Sequence, residues 1–238
     1  MTLLFDDPIG QAVSDYYFQS IDTPIIVHSD DFDDDSIETS YFFRTYKQMP
    51  DIEKKAMKLC RGTILDVGAC AGAHSVYLHE KGFDVTSLET SVHCCEVLRD
   101  KKLPHVIQED IFKFKDQKFD TIILLMNGTG IAGTLGGLEV LLHHLKTLLN
   151  PEGQILIDSS DLIYLFEQED GSALIDISSD KYYGELTFQT EYKDWISQPF
   201  PWLYVDLSNL TNAIEKNQLK LDKVFNGQHY DYLARITF

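Results

Sequence analysis

What is scarce in this sequence narrows the field before any motif is considered. No apolar run approaches the roughly 20 residues needed to cross a bilayer, and the opening MTLLFDDPIG lacks the basic start of a secretory signal. Basic residues are few: 20 Lys and Arg stand against 38 Asp and Glu, a formal charge of −18. A field of that sign repels phosphate backbones and anionic lipid, so neither nucleic acid nor a membrane is expected as a partner. A cytoplasmic location is the expectation. The 4 cysteines, Cys60, Cys70, Cys94 and Cys95, show no C-x-x-C spacing. Adjacent Cys94 and Cys95 are too close for an ordinary bridge, and His93-Cys94-Cys95 lacks the second ligand pair of a zinc site. Reduced, mostly buried thiols and no metal are expected. There are no internal repeats or low-complexity tracts, and nothing indicates an oligomeric state.

What remains suits one α/β domain with decorations: 238 residues, 44% of them hydrophobic, enough for a substantial core. Residues 8–20 read as a helix, with Ile9, Val13, Tyr16 and Tyr17 on one face. An acidic run at 30–35 follows, read as a solvated loop ahead of a cation-attracting lip. Helices are expected at 36–48 and at 51–60, the latter between Pro50 and Gly62. From residue 63 strands and helices alternate: strands at 63–67, 84–88, 105–107, 119–126 and 154–158, helices at 72–81, 91–100 and 136–149. The nearly unbroken apolar run 119–126 is the signature of a parallel strand buried on both faces. This alternation builds a doubly wound sheet. Residues 182–192 and 202–205 suggest an antiparallel insertion, punctuated by Gly171 and the prolines at 199 and 201. A helix at 206–217 then leads into two strands, 219–225 and 230–238, joined at Asn226-Gly227.

The chemistry concentrates in Ile64-Leu65-Asp66-Val67-Gly68-Ala69-Cys70-Ala71-Gly72-Ala73-His74. An apolar strand runs into a small-residue loop that opens a helix, so a ligand can lie against the backbone. Asp66 ends that strand, Glu89 the second, and Asp110 with Ile111 follows the third. Three acids at the carboxyl ends of adjacent strands occupy the place where open α/β sheets bind ligands. Glu89 suits ribose hydroxyls, Asp110 an adenine amino group and Ile111 a ring face. A dinucleotide fingerprint would need G-x-G-x-x-G, but the positions here are Gly68, Cys70 and Ala73. A nicotinamide-dependent oxidoreductase is therefore the disfavoured enzymatic reading.

With these residues the chain resembles the class I S-adenosylmethionine-dependent methyltransferases over 62–160 and in its terminal hairpin at 219–238. ILDVGACAG looks like the family's first motif, E/D-x-G-x-G-x-G, departing from it at Cys70. The resemblance implies a Rossmann-like, doubly wound, mostly parallel seven-stranded sheet ending in an antiparallel hairpin. Residues 1–61 would form a helical N-terminal cap on a domain spanning 62–238, with the insertion at about 162–205. It implies S-adenosyl-L-methionine as cofactor, contacted by Asp66, Gly68, Ala69, Gly72, His74, Glu89, Thr90, Asp110, Ile111, Met126 and Asn127. The segment Met126-Asn127-Gly128 is not the N/D-P-P-Y/F of many amide and amino methylating enzymes, which turns the reading toward a small-molecule acceptor.

Methyl transfer is an in-line displacement that needs a general base only when the nucleophile must lose a proton during reaction. His74 and Asn127 are the candidates for a catalytic role, with local packing or turn formation as the plainer explanation of each. Tyr41, Arg44 and Tyr46 on the cap, Gly128, and Asp158 with Ser159, Ser160 and Asp161 are the candidates near the acceptor, Arg44 through pairing with a carboxylate. Trp195 and Trp202 are read as lid, dimer contact or core filling. A non-catalytic cofactor-binding module is the alternative from another class.

Overall fold

The computed structural model describes residues 7–166 and 181–238, so Gly171 lies outside the described residues. The chain opens with α1 (Pro8–Gln19), capped by Asp7, which accepts the Gly10 amide at 2.8 Å. Strands β1 (Ile25–Ser29) and β2 (Asp35–Ile37) follow, then a 3-10 turn at Thr39–Phe43 and helix α2 (Asp51–Leu59). Regular alternation runs through β3 (Thr63–Val67), α3 (Ala73–Glu80), β4 (Asp84–Glu89), α4 (Val92–Asp100), β5 (His105–Gln108), β6 (Phe119–Leu124), α5 (Leu135–Thr147) and β7 (Leu149–Ser160). The insertion contributes β8 (Glu185–Tyr192), β9 (Trp195–Ile196) and β10 (Phe200–Leu203). Helix α6 (Leu207–Lys216) then leads to β11 (Lys220–Asn226) and β12 (Asp231–Thr237).

Seven strands form one sheet in the order β11-β12-β7-β6-β3-β4-β5. The five from β7 to β5 are parallel, whereas β12 and β11 run antiparallel at the edge. This is the expected α/β architecture with its antiparallel ending. Residues Ile122, Ile123 and Leu124 of β6 are wholly buried because both faces of the sheet are covered. On one face Leu138, Leu141, Leu142 and Leu145 of α5 pack on Ile122, Leu124 and Ile155. On the other, Ile52 and Ala56 of α2 and Leu78 of α3 meet Ile64, Ile123 and Leu156. Each such buried aliphatic side chain contributes about 1.5–3 kcal/mol. Strand order reverses at β3: β4 and β5 lie to one side, β6 and β7 to the other. The crevice at its carboxyl end is therefore the topological switch point.

The N-terminal segment departs from the helical cap expected. Residues 36–48 do not form a helix; they hold β2, the 3-10 turn and a further turn. Ile37, Thr39, Tyr41, Phe42, Phe43, Thr45 and Tyr46 are β-branched or aromatic and favour helix weakly. Tertiary contacts then decide the conformation: Phe42 packs with Val13 and Ile25, and Thr39 Oγ1 donates to the Thr23 carbonyl at 2.7 Å. Strand β1 also went unanticipated, although Ile25-Ile26-Val27 after Pro24 is a strand signal. With β8 it forms the centre of a second, antiparallel sheet of order β10-β8-β1-β2, with β9 paired to β8. The N-terminal segment and the insertion are thus woven together. The acidic run 30–35 forms the β1–β2 turn and the start of β2, with Asp34 paired to His28 and Asp31 to Lys181.

Two smaller differences have simple causes. Strand β7 starts at Leu149, not at 154, because Asn150-Pro151-Glu152-Gly153 loops out as a bulge; Phe119 faces Leu149 and Thr121 faces Gln154. The terminal hairpin turns through residues 227–230. No helix among the described residues is long and apolar enough to cross a membrane.

Candidate active site at the switch point

The loop after β3 folds tightly because Gly68, Cys70 and Gly72 all take left-handed backbone, with φ of 72°, 47° and 85°. The Gly68 and Ala69 amides donate to the Leu88 carbonyl, pinning the loop to β4. A side chain at Gly72 would be strained by the left-handed backbone and would force Leu98 to shift, since a Cβ there would lie 2.7 Å from Leu98 Cδ2. Helix α3 begins directly after it. At the end of β4 the Glu89 carboxylate gathers the surrounding backbone: Oε2 accepts the Cys70 amide at 2.8 Å, and Oε1 accepts those of Thr90 and Ser91 at 2.7 and 2.9 Å. Burial pushes the Glu89 carboxyl above its ordinary range, although these amides pull against it.

A cavity of about 300 Å³ opens over this crevice. Its floor is Val67, Gly68 and Leu88; Glu89, Thr90, Asp110 and Ile111 form one wall. The opposite side is Gly130 and Ile131 with Phe200, Pro201 and Trp202 of β10. Asp110 Oδ1 accepts the Phe112 amide at 3.0 Å, and Ile111 is anchored in the core beside Leu88. The Trp202 ring lies directly on Gly130, where a Cβ would come within 2.0 Å of it. Of the cofactor residues named from sequence, Gly68, Glu89, Thr90, Asp110 and Ile111 therefore share this cavity. Phe200 and Pro201 were missed as cavity residues, whereas Trp202, for which a lid was one of the readings, lines it; the pairing of β10 with β8 carries all three there.

Asp66, Ala69, Gly72, His74, Met126 and Asn127 do not line the cavity. Asp66 lies beneath the loop and accepts from Ser75 Oγ at 2.6 Å, while Ser87 Oγ donates to Ser75 Oγ at 2.8 Å. Burial raises its carboxyl above the ordinary range. His74 faces a buried ion pair: its Nε2 is 3.0 Å from Glu53 Oε2, and Arg44 donates to Glu53 through Nε and Nη2 at 3.0 and 2.8 Å. Burial raises the Glu53 carboxyl, but bonds and charge from His74 and Arg44 outweigh it and leave the net shift downward. Arg44 therefore spends its fork on Glu53, not on a ligand carboxylate, and sits past the 3-10 turn instead of on a helix. Tyr41 lies against that guanidinium, 4.4 Å from ring centroid to Cζ. Tyr46 stacks on Tyr77 of α3 at 4.3 Å, a packing role.

The loop after β6 is held from below. Met126 and Asn127 are left-handed, at φ of 68° and 57°. Asp158 on β7 accepts the Met126 amide through Oδ2 at 3.1 Å and the Gly128 amide through Oδ1 at 2.7 Å. Burial pushes Asp158 up to about 6. The Asn127 side chain donates to the Leu203 carbonyl at 3.1 Å and accepts from Ser159 Oγ at 3.1 Å, tying this loop to the insertion. Among the described residues no group of His, Cys, Asp and Glu is arranged to hold a metal ion.

Comparison with known proteins agrees with this geometry. A family described as "Methyltransferase domain" matches residues 65–157, the stretch from β3 to β7. A crystal structure of an S-adenosylmethionine-dependent methyltransferase from Bacteroides fragilis, in complex with S-adenosyl-L-homocysteine, is 42% identical. The match covers 98% of this chain and 94% of that one, at a TM-score of 0.90. The chain belongs to the class I S-adenosylmethionine-dependent methyltransferases. No curated protein matches it. More distant structures share the fold of this methyltransferase. CcbJ from Streptomyces caelestis has a TM-score of 0.61 at 14% identity over 79% of this chain and 96% of its own. A methyltransferase from Clostridium acetobutylicum has 0.60 at 14% over 82% and 92%. The nicotinamide and non-catalytic readings give way to a methyltransferase that uses S-adenosylmethionine.

Proposed function

We propose that this methyltransferase acts on a small-molecule acceptor, with its cofactor lying across the ends of β3, β4 and β5. The observation that carries the reading is the cavity between Glu89, Asp110 and Ile111 on one side and Trp202 on the other. Glu89 would accept the ribose hydroxyls, Asp110 the adenine amino group, and Ile111 and Trp202 would face the ring. Gly68 brings backbone close to the remainder of the cofactor, and the Met126–Gly128 loop, held by Asp158, borders the reacting end. Bound S-adenosylmethionine would supply an electrophilic methyl group on a sulfonium, which passes in line to the acceptor as S-adenosylhomocysteine leaves. The chain's contribution is orientation and exclusion of water, worth up to roughly 7–11 kcal/mol of barrier. With His74 paired to Glu53, the reading assigns it a positioning role behind the loop.

Residues 1–61 and the insertion would act together as the cap, since their strands share one sheet. Tyr41 is exposed beside the Arg44–Glu53 pair and would face the acceptor. Coverage by that cap favours a small molecule, and the charge of −18 disfavours nucleic acid and anionic membrane. Free Cys60, Cys70, Cys94 and Cys95 fit a reducing, cytoplasmic setting. The test is calorimetry with S-adenosylmethionine, S-adenosylhomocysteine and NADH, followed by transfer from methyl-labelled cofactor into a cell extract. Saturable binding of the first two and label in the low-mass fraction are expected. Label confined to protein or nucleic acid would overturn the small-molecule reading.

A further inference from the structure

Two of the four thiols face one another at the edge of the cofactor loop. Cys70 lies at the loop's left-handed centre and Cys94 in the first turn of α4, with their Sγ atoms 4.0 Å apart. The other thiols point elsewhere: Cys95 Sγ is directed at the Glu89 carbonyl at 3.7 Å, and Cys60 packs with α2 and α3. Cys70 is half-buried and Cys94 fully buried, which makes Cys70 the more accessible residue of the two. Lys101 closes the group, donating from Nζ to the Ala71 carbonyl at 2.6 Å with its ammonium near both sulfurs. The hydrogen bond from Cys94 to Cys70, with burial, holds the Cys94 thiol well above its ordinary range, so the reaction begins at Cys70.

We propose that Cys70 and Cys94 form a reversible disulfide that lowers the affinity of this methyltransferase for its cofactor. The oxidant class is a peroxide. Hydrogen peroxide converts one thiol, that of Cys70, to a sulfenic acid and releases water; the Cys94 thiol then displaces a second water as the S–S bond forms. Two thiols lose two electrons and two protons, and one peroxide becomes two waters. The bond needs the sulfurs at about 2.05 Å, a further approach of about 2 Å. That approach acts on the ligand site through the backbone. The Cys70 amide donates to Glu89 Oε2, and Ser91, whose Oγ accepts the Cys94 amide, donates its own amide to Glu89 Oε1. Drawing the loop toward α4 shifts the Cys70 amide off Glu89 and disturbs the carboxylate assigned to the ribose. The link from bond to affinity rests on that assignment; formation of the bond does not.

The experiment oxidises the reduced full-length protein with hydrogen peroxide near stoichiometry and reads two quantities. A non-reducing digest should contain a peptide linking Cys70 to Cys94. Calorimetry with S-adenosylhomocysteine should show affinity weaker by about tenfold, the loss of one hydrogen bond to a carboxylate, and full recovery with dithiothreitol. Cys94→Ala should form no link and should keep its affinity through the same treatment. Absence of the linked peptide overturns the proposal, as does a linked protein that binds as tightly as the reduced one. Failure of the reduced protein to bind would instead overturn the cofactor-site reading, and is recognisable because it precedes oxidation.

Discussion

At the end of β4, Glu89 accepts backbone amides from Cys70, Thr90 and Ser91 while its carboxyl is held above the ordinary range by burial. The same oxygens are assigned to the ribose, so Glu89→Gln places an amide NH2 against a donor that needs an acceptor. Affinity for S-adenosylhomocysteine should fall by about 1–3 kcal/mol in calorimetry; an unchanged value would move the ribose elsewhere. Behind the loop, Glu53→Ala leaves Arg44 buried without its partner, and urea unfolding should show a loss of about 3–5 kcal/mol. Because the folded Glu53 lies below its ordinary 4.5, its contribution is complete above that value and is lost as pH falls through the folded pKa. Asp158 has the opposite sign. Its carboxyl rises from an ordinary 3.8 to about 6, so the folded state holds the proton longer. Stability of the wild type relative to Asp158→Asn should therefore decline by about 2 kcal/mol as pH rises from about 4 to about 6, out of about 3 kcal/mol in all. A flat difference across that window in pH-dependent urea titrations would contradict the assignment. None of these pairings was legible in the sequence: Arg44 and Glu53 are nine positions apart, but His74 is far from both, and only the fold buries the three together.

Strands β3 and β6 were legible as apolar runs, the pattern that a parallel sheet buried on both faces imposes, and the shorter β4 and β5 by the acids at their ends, Glu89 and Glu109-Asp110. The 36–48 segment was not, because its aromatic and β-branched residues carry weak local preference and pair through long-range contacts. The insertion shows the same dependence. Strand β10 reaches the cavity only because β8 sets it against the 3-10 turn at Gly128–Ala132. Gly130 is the hinge of that contact, with no room for a methyl group under Trp202. Gly130→Ala should push β10 outward, weakening cofactor binding in calorimetry and lowering the melting temperature together. A variant that binds normally would show that β10 takes no part in holding the cofactor.

Across the whole molecule the charge of −18 acts on whatever approaches. S-adenosylmethionine carries a sulfonium and an ammonium against one carboxylate, whereas its demethylated product has no net charge. Stopped-flow tryptophan fluorescence should show the association rate of S-adenosylmethionine falling as salt rises, with S-adenosylhomocysteine nearly indifferent. Equal salt dependence for both would mean that the acidic field does not steer the cofactor. The amino-acid sequence by itself determined the seven-stranded sheet, the loop at Gly68–Gly72 and the acids ending successive strands, since these rest on short-range pattern: apolar runs, small residues and turn signals. Only the tertiary structure decided that β1 joins the insertion in a second sheet, that Trp202 covers the cavity, and that Arg44 belongs to Glu53. The first two depend on contacts between residues distant in the chain, whose energies exist only once the intervening core has formed; the Arg44–Glu53 pair, close in sequence, is buried only when α3 brings His74 against it.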